Sequence, residues 1–181
     1  MKQYLLALEQ DTVPGARSVL GQLDLELIAT IERAARTDWL PIETNYAATE
    51  LLTRELGVAR SEAFFRLLYR GLLEGPLLES LLRGIRALGV RSPLAYLKHT
   101  PRAYSAVFRG VGRPELSARS EHHVELEFFE LPAVCLSPAL PWVRYTAAIY
   151  ALSFDLSGCP GSYEVTHTDP ARGHARVRFE W

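Results

Sequence analysis

The chain has 181 residues, a formal net charge of −1, and 48% hydrophobic against 23% charged residues, a size and balance that one globular domain satisfies without metals or disulfides. Near-neutrality excludes the broad basic surface of a general nucleic-acid binder, and no apolar run approaches the ~20 residues of a membrane span. Cys135 and Cys159 are too few and too far apart for a disulfide framework or a CxxC metal site, and MKQYLLALEQDTV carries no small-residue cleavage pattern, so a cytoplasmic protein with two reduced thiols is expected.

Val13, Pro14 and Gly15 mark a first turn, and Asp24 is a fair N-cap for a helix with the stripe Leu25, Ile28, Ile31 and Ala35. Trp39, Leu40 and Pro41 read as an apolar loop folding back on the core. Thr44 is placed to cap a helix carrying Tyr46, Leu51, Leu52 and Leu56 as far as Gly57. Ser61 would start SEAFFRLLYRGLLEG and Pro76 would start PLLESLLRGIRALG; both are apolar nearly all round and are expected to be the most buried helices. Ser92-Pro93 and Thr100-Pro101 each put a cap residue before proline, predicting two short helices that end near Gly110. Arg83, Arg86, Arg91, Lys98, Arg102, Arg109, Arg113 and Arg119 make this stretch basic, with Glu115 alone against them, and read as solvated side chains scattered over several faces.

From here the period changes from helical to alternating. Leu116, Ala118 and Ser120, then Val124, Leu126 and Phe128, alternate with polar neighbours as two strands. Pro141, Tyr145, Ala148, Ile149, Leu152 and Phe154 recur at helical steps, with Gly158 as the stop. Tyr163, Val165 and His167, then Ala175, Val177, Phe179 and Trp181, give a second strand pair around Asp169-Pro170-Ala171-Arg172-Gly173, the chemistry of a type I turn ending in a left-handed glycine. The order predicts a single α+β domain over residues 1–181. A mainly helical part, 1–110, packs on one face of an antiparallel sheet formed by a β-β-α-β-β part, 111–181.

Reactive constellations are sparse. GxSxG, GxGxxG and Gly-x-x-x-x-Gly-Lys are missing, which removes the nucleophile elbow and the phosphate-cradling loops and points to a non-enzymatic protein. His122 and His123 fall on opposite faces of a strand. Simple alternation also puts His167 and His174 on opposite faces of the sheet, so neither pair chelates. Glu125 and Glu127 alternate with core positions, and with Glu121 and Glu130 they form a solvated charged face.

The element order, with the closing residues DPARGHARVRFEW, resembles the superfamily that includes haem nitric-oxide-binding (H-NOX) domains, vinyl-reductase-like small-molecule-binding domains and TRAPP transport-complex subunits; the likeness runs over most of the chain. A closer resemblance is to a paralogous family expanded in myxobacteria, whose members join a helical half to a β half through a segment like Thr100-Pro101-Arg102-Ala103-Tyr104. Such a resemblance implies a helix-over-sheet pocket or a dimerisation surface, and no particular reaction. For an H-NOX domain it implies a haem-ligating histidine on the helix before the sheet. Tyr104 stands in that region here, His99 lies little more than one turn earlier, and the YxSxR motif is absent, so no haem or other cofactor is expected. The vinyl-reductase-like likeness implies cysteines near both ends of the closing hairpin, where this chain has Asp169 and Val177.

Two functional classes follow. One is a signalling or ligand-binding module that takes an apolar small molecule between the helices and the sheet, lined by Phe64, Leu68, Tyr69, Tyr104, Phe108, Tyr145 and Tyr150. The other is an interaction module, a homodimer or protein-partner surface built on Phe129, Leu131 and Trp142, because Phe128 and Phe129 must point to opposite faces of the sheet.

Overall fold

The computed structural model describes residues 1–35, 39–73, 83–84 and 92–181. The helical part comprises α1 (Lys2–Glu9), α2 (Ala16–Leu20), α3 (Leu25–Arg33), a long α4 (Ile42–Leu73), α5 (Pro93–Leu97) and α6 (Thr100–Val107). Then come β1 (Arg113–Arg119), β2 (His123–Phe129), a 3-10 turn (Ala133–Leu136), α7 (Trp142–Tyr150), α8 (Leu152–Ser157), β3 (Ser162–Asp169) and β4 (His174–Glu180). The helix expected from Pro76 falls almost wholly outside the described residues. No helix among the described residues is long and apolar enough to cross a membrane.

Local chemistry accounts for most of the boundaries. The Asp24 carboxylate accepts from the Glu26 and Leu27 N–H groups at 2.6 and 3.3 Å, and the Ser92 hydroxyl accepts from Leu94 N–H, so both caps act as their residue types dictate. Gly57, at φ 73° and ψ 166°, interrupts α4 and divides it into the two helices expected on either side. Ser61 does not start the second of these: its hydroxyl donates back to the Gly57 carbonyl at 2.9 Å from inside the helix. Thr44 is likewise inside α4, its N–H bonded to the Pro41 carbonyl.

Three apolar expectations fail at the surface. Leu25, at the first position of α3, is 82% exposed, and Ala35 lies beyond the end of the helix and is exposed, while Ile31 is fully buried. Leu67 leaves the otherwise buried Phe64-Phe65 segment to face solvent. Trp39 does not fold back on the core either; its ring lies under the Arg109 guanidinium, 3.8 Å from carbon to ring centroid, and cation–π attraction takes the place of burial.

The four strands form one antiparallel sheet in the order β1-β2-β4-β3. Val124 lies opposite Phe179, Leu126 opposite Val177 and Phe128 opposite Ala175, and all six side chains are fully buried on the helix-covered face. They form one core with Tyr104, Leu140, Trp142, Val143, Ala147 and Phe154. A second core joins α1, α2 and α4 through Tyr4, Leu8, Val19, Leu52, Phe64 and Phe65. Helix α7 serves both, since Val143 and Ala147 face the sheet while Tyr145 enters the helical core. Two cores sharing one helix leave a junction between them.

The sheet corrects two sequence expectations. Strand β3 carries a bulge between Val165 and His167, so Val165 pairs with Val177 but His167 pairs with Arg176. The extra residue moves His167 to the outer face, where its ring centroid lies 5.4 Å from that of His174; the two histidines are not split across the sheet. The second correction concerns the apolar stretch after β2. Leu131 and Trp142 are each only 4% exposed and belong to the sheet core, so they form no exposed patch with Phe129. Phe129 does point outward, but its ring lies between the Arg113 guanidinium and the His174 imidazole. The chain reverses at Glu130, φ 59°, and Leu131 N–H donates to the Gly173 carbonyl at 2.9 Å, which turns Leu131 inward.

Candidate functional site

The residues expected to line a pocket divide between the two cores and meet at the junction. Phe64, Leu68 and Tyr69 come from the second half of α4, and Tyr145 from α7, all packed in the helical core. Tyr104, Phe108 and Tyr150 belong to the sheet core. Tyr145 is the one whose polar group is fully occupied on the helical side: it shares a 2.7 Å hydrogen bond with the Thr53 hydroxyl, and its ring stacks 5.0 Å from Phe65.

Tyr104 anchors the sheet side. Its hydroxyl donates to the Val111 carbonyl at 2.7 Å and accepts from the Trp142 indole N–H at 3.1 Å. Phe108 stacks on both rings, 4.9 Å from Tyr104 and 5.0 Å from Trp142, and Tyr46 meets Trp142 edge-on at 5.6 Å. Behind this wall the Cys135 thiol donates to the Tyr46 hydroxyl at 3.2 Å, and burial pushes that thiol up, so it stays protonated. Trp142, Tyr46 and Cys135 were not expected in this wall. They are distant in sequence, and nothing in their local periodicity marks them as neighbours of Tyr104. Replacing Tyr104 by Phe should cost about 1–3 kcal/mol in urea denaturation, because the Val111 carbonyl and the Trp142 N–H are then buried without partners.

Tyr69 and Tyr150 complete the junction. Both retain accessible surface, yet burial is the main influence raising their hydroxyl pKa values. Tyr104 and Tyr69 also raise the Tyr150 hydroxyl electrostatically, so the three phenols converge on a shared region. Neither Tyr69 nor Tyr150 has a hydrogen-bond partner for its hydroxyl among the described residues. The arrangement is an apolar lining with two phenol groups able to donate or accept, all protonated at neutral pH.

An open cleft of about 580 Å³ lies elsewhere, lined by residues including Arg66, Phe154, Asp155, Gly161 and Tyr163. Its charges answer one another: Arg66 and Arg70 reach the Asp155 carboxylate at 2.8 and 3.4 Å. Burial and the Glu62 carboxylate push the Tyr163 hydroxyl up to about 12. None of the expected pocket residues lines it.

No family profile and no curated protein matches the chain. Solved structures do. The Fe(II) unliganded H-NOX protein from K. algicida superposes with a TM-score of 0.66 over 99% of this chain and 92% of that one, at 8% sequence identity. A T. tengcongensis H-NOX variant gives 0.59 over 98% and 92% at 11% identity. An oxygen-binding H-NOX domain related to soluble guanylate cyclases gives 0.58 over 99% and 91% at 12% identity. The fold is H-NOX-like. At these identities the likeness is one of architecture, a helical half with a four-stranded antiparallel sheet, and it carries no chemistry to the junction.

Proposed function

We propose that this H-NOX-like chain is a non-enzymatic sensory module that binds a small, largely apolar molecule at the junction of its two cores, without haem. The observation that carries this reading is the convergence of Tyr69, Tyr104 and Tyr150 from α4, α6 and α7 on one region of the junction, with the Tyr69 and Tyr150 hydroxyls unengaged among the described residues. Phe64 and Leu68 supply apolar surface beside them. A ligand with one or two polar atoms would satisfy both phenols while its apolar body fills the rest. The finer placement, in the paralogous family expanded in myxobacteria, rests on the sequence resemblance alone.

The donor set does not fit haem. All five histidines lie among the described residues and none is buried; His99, the one nearest the junction in sequence, precedes α6, half-buried. The Tyr104 hydroxyl is committed to Val111 and Trp142, and burial raises its pKa, so the tyrosinate that iron would need is disfavoured. The undescribed residues 36–38, 74–82 and 85–91 contain no His, Cys, Met or Tyr to replace it.

Comparison of native and denaturing mass spectra of the purified chain tests the reading. A retained small molecule, lost in Leu68→Trp, which fills the junction, is the expected result. Reconstitution with haemin should leave no Soret band after gel filtration. A stoichiometric band that disappears in Tyr104→Phe or His99→Ala would overturn the haem-free reading.

A further inference from the structure

The outer face of the sheet holds a second constellation, independent of the junction. The β3 bulge turns His167 toward His174 on the neighbouring strand, and their ring centroids are 5.4 Å apart. Imidazole nitrogens sit about 2.0–2.1 Å from a bound zinc ion, which places each ring centre about 3 Å from the metal; at a tetrahedral angle two such centres are about 5 Å apart. The observed spacing matches that requirement.

The surroundings of His174 supply what a ligating histidine needs. Its Nε2 lies 3.1 Å from Glu127 Oε2, and Arg176 reaches the other carboxylate oxygen of Glu127 at 2.8 Å. A carboxylate accepting from Nε2–H selects the tautomer whose lone pair is on Nδ1, the second-shell arrangement found behind metal-bound histidines. The Phe129 ring, 5.1 Å away, packs against the imidazole and fixes its orientation. Asp169, opposite His174 in the register, is engaged with its own turn instead: its Oδ1 accepts from the Ala171 and Arg172 N–H groups and its Oδ2 lies 3.7 Å from the Arg172 guanidinium.

We propose that His167 and the Nδ1 of His174 form a two-imidazole site for a divalent transition-metal ion, with Glu127 as its positioning residue and water in the remaining coordination positions. Two neutral nitrogen donors select the zinc, nickel and copper class over magnesium or calcium, which require oxygen. No group of three His, Cys, Asp or Glu among the described residues could hold a metal ion, so the site is an open one with two protein ligands.

Calorimetric titration of the untagged chain with Ni²⁺, then with Zn²⁺, tests this. One equivalent per chain is expected to bind, and His167→Ala should weaken it at least about tenfold; Glu127→Gln should weaken it less, the imidazole keeping its partner but losing the charge behind it. His167 is exposed, so its variant is expected to retain the wild-type circular dichroism. A His122→Ala, His123→Ala double variant should bind as the wild type does. Equal affinity in the wild type and His167→Ala, or loss of binding in the His122/His123 variant instead, would overturn the proposal, as would preference for Mg²⁺.

Discussion

Val177→Asp is expected to leave no cooperative unfolding transition. Val177 is fully buried at the centre of the sheet, opposite Leu126 on one side and Val165 on the other. The substitution removes about 1.5–3 kcal/mol of apolar burial and adds a carboxylate with no partner. Together these approach the ~5–15 kcal/mol that holds a whole domain folded. Arg178→Asp, one residue away, is the control. Arg178 points to the outer face, where its guanidinium, half exposed, bonds the Glu125 carboxylate at 2.6 and 2.9 Å. That variant should melt cooperatively with a small downward shift, measured by thermal circular dichroism. Equal shifts for the two variants would mean that the faces are assigned the wrong way round.

Gly173→Ala should be nearly as damaging for a different reason. Gly173 has φ +60°, and a Cβ placed on it would sit 2.5 Å from the Leu131 carbonyl oxygen. That oxygen belongs to the same backbone segment whose N–H bonds to the Gly173 carbonyl, so the clash can be relieved only by opening the contact that turns Leu131 into the core. The left-handed conformation costs about 1–2 kcal/mol for a residue with a Cβ, and the clash adds to it, for an expected total of ~3 kcal/mol or more. Gly158→Ala separates the two contributions. Gly158 has φ +72° with nothing within 4 Å of the added Cβ, so it should lose only the conformational part. Urea titration of the two variants side by side checks this; similar midpoints would remove the close packing between the β3–β4 turn and the segment after β2.

Much of the fold was legible because it rests on local rules. The alternation at Val124, Leu126 and Phe128 and at Ala175, Val177 and Phe179 assigned the buried face of β2 and β4. Asp24 and Ser92 cap as their side-chain oxygens allow, Gly57 and Gly158 break helices where glycine is cheapest, and Asp169 to Gly173 form the turn that their composition predicts. Of the candidate site, Tyr69, Tyr104 and Tyr150 were named from aromatic spacing, but not their convergence, because that depends on the packing of α4, α6 and α7 rather than on the period of any one of them.

What tertiary structure decided lies where two segments meet. The bulge in β3 is a mismatch of count between two strands, and neither strand's own period contains it; a single extra residue was enough to bring His167 and His174 to one face. Leu131 and Trp142 read as surplus apolar surface until the reversal at Glu130 and the bond to Gly173 turned one inward and the Tyr104 hydroxyl gave the other's indole a buried acceptor. Sequence by itself determined which residues need burial and which backbone positions need glycine, since those are properties of single side chains and short periods. Which partner buries each side chain, and which face a bulged strand shows, depends on distances between segments far apart in the chain, and those exist only once the two cores have closed on α7.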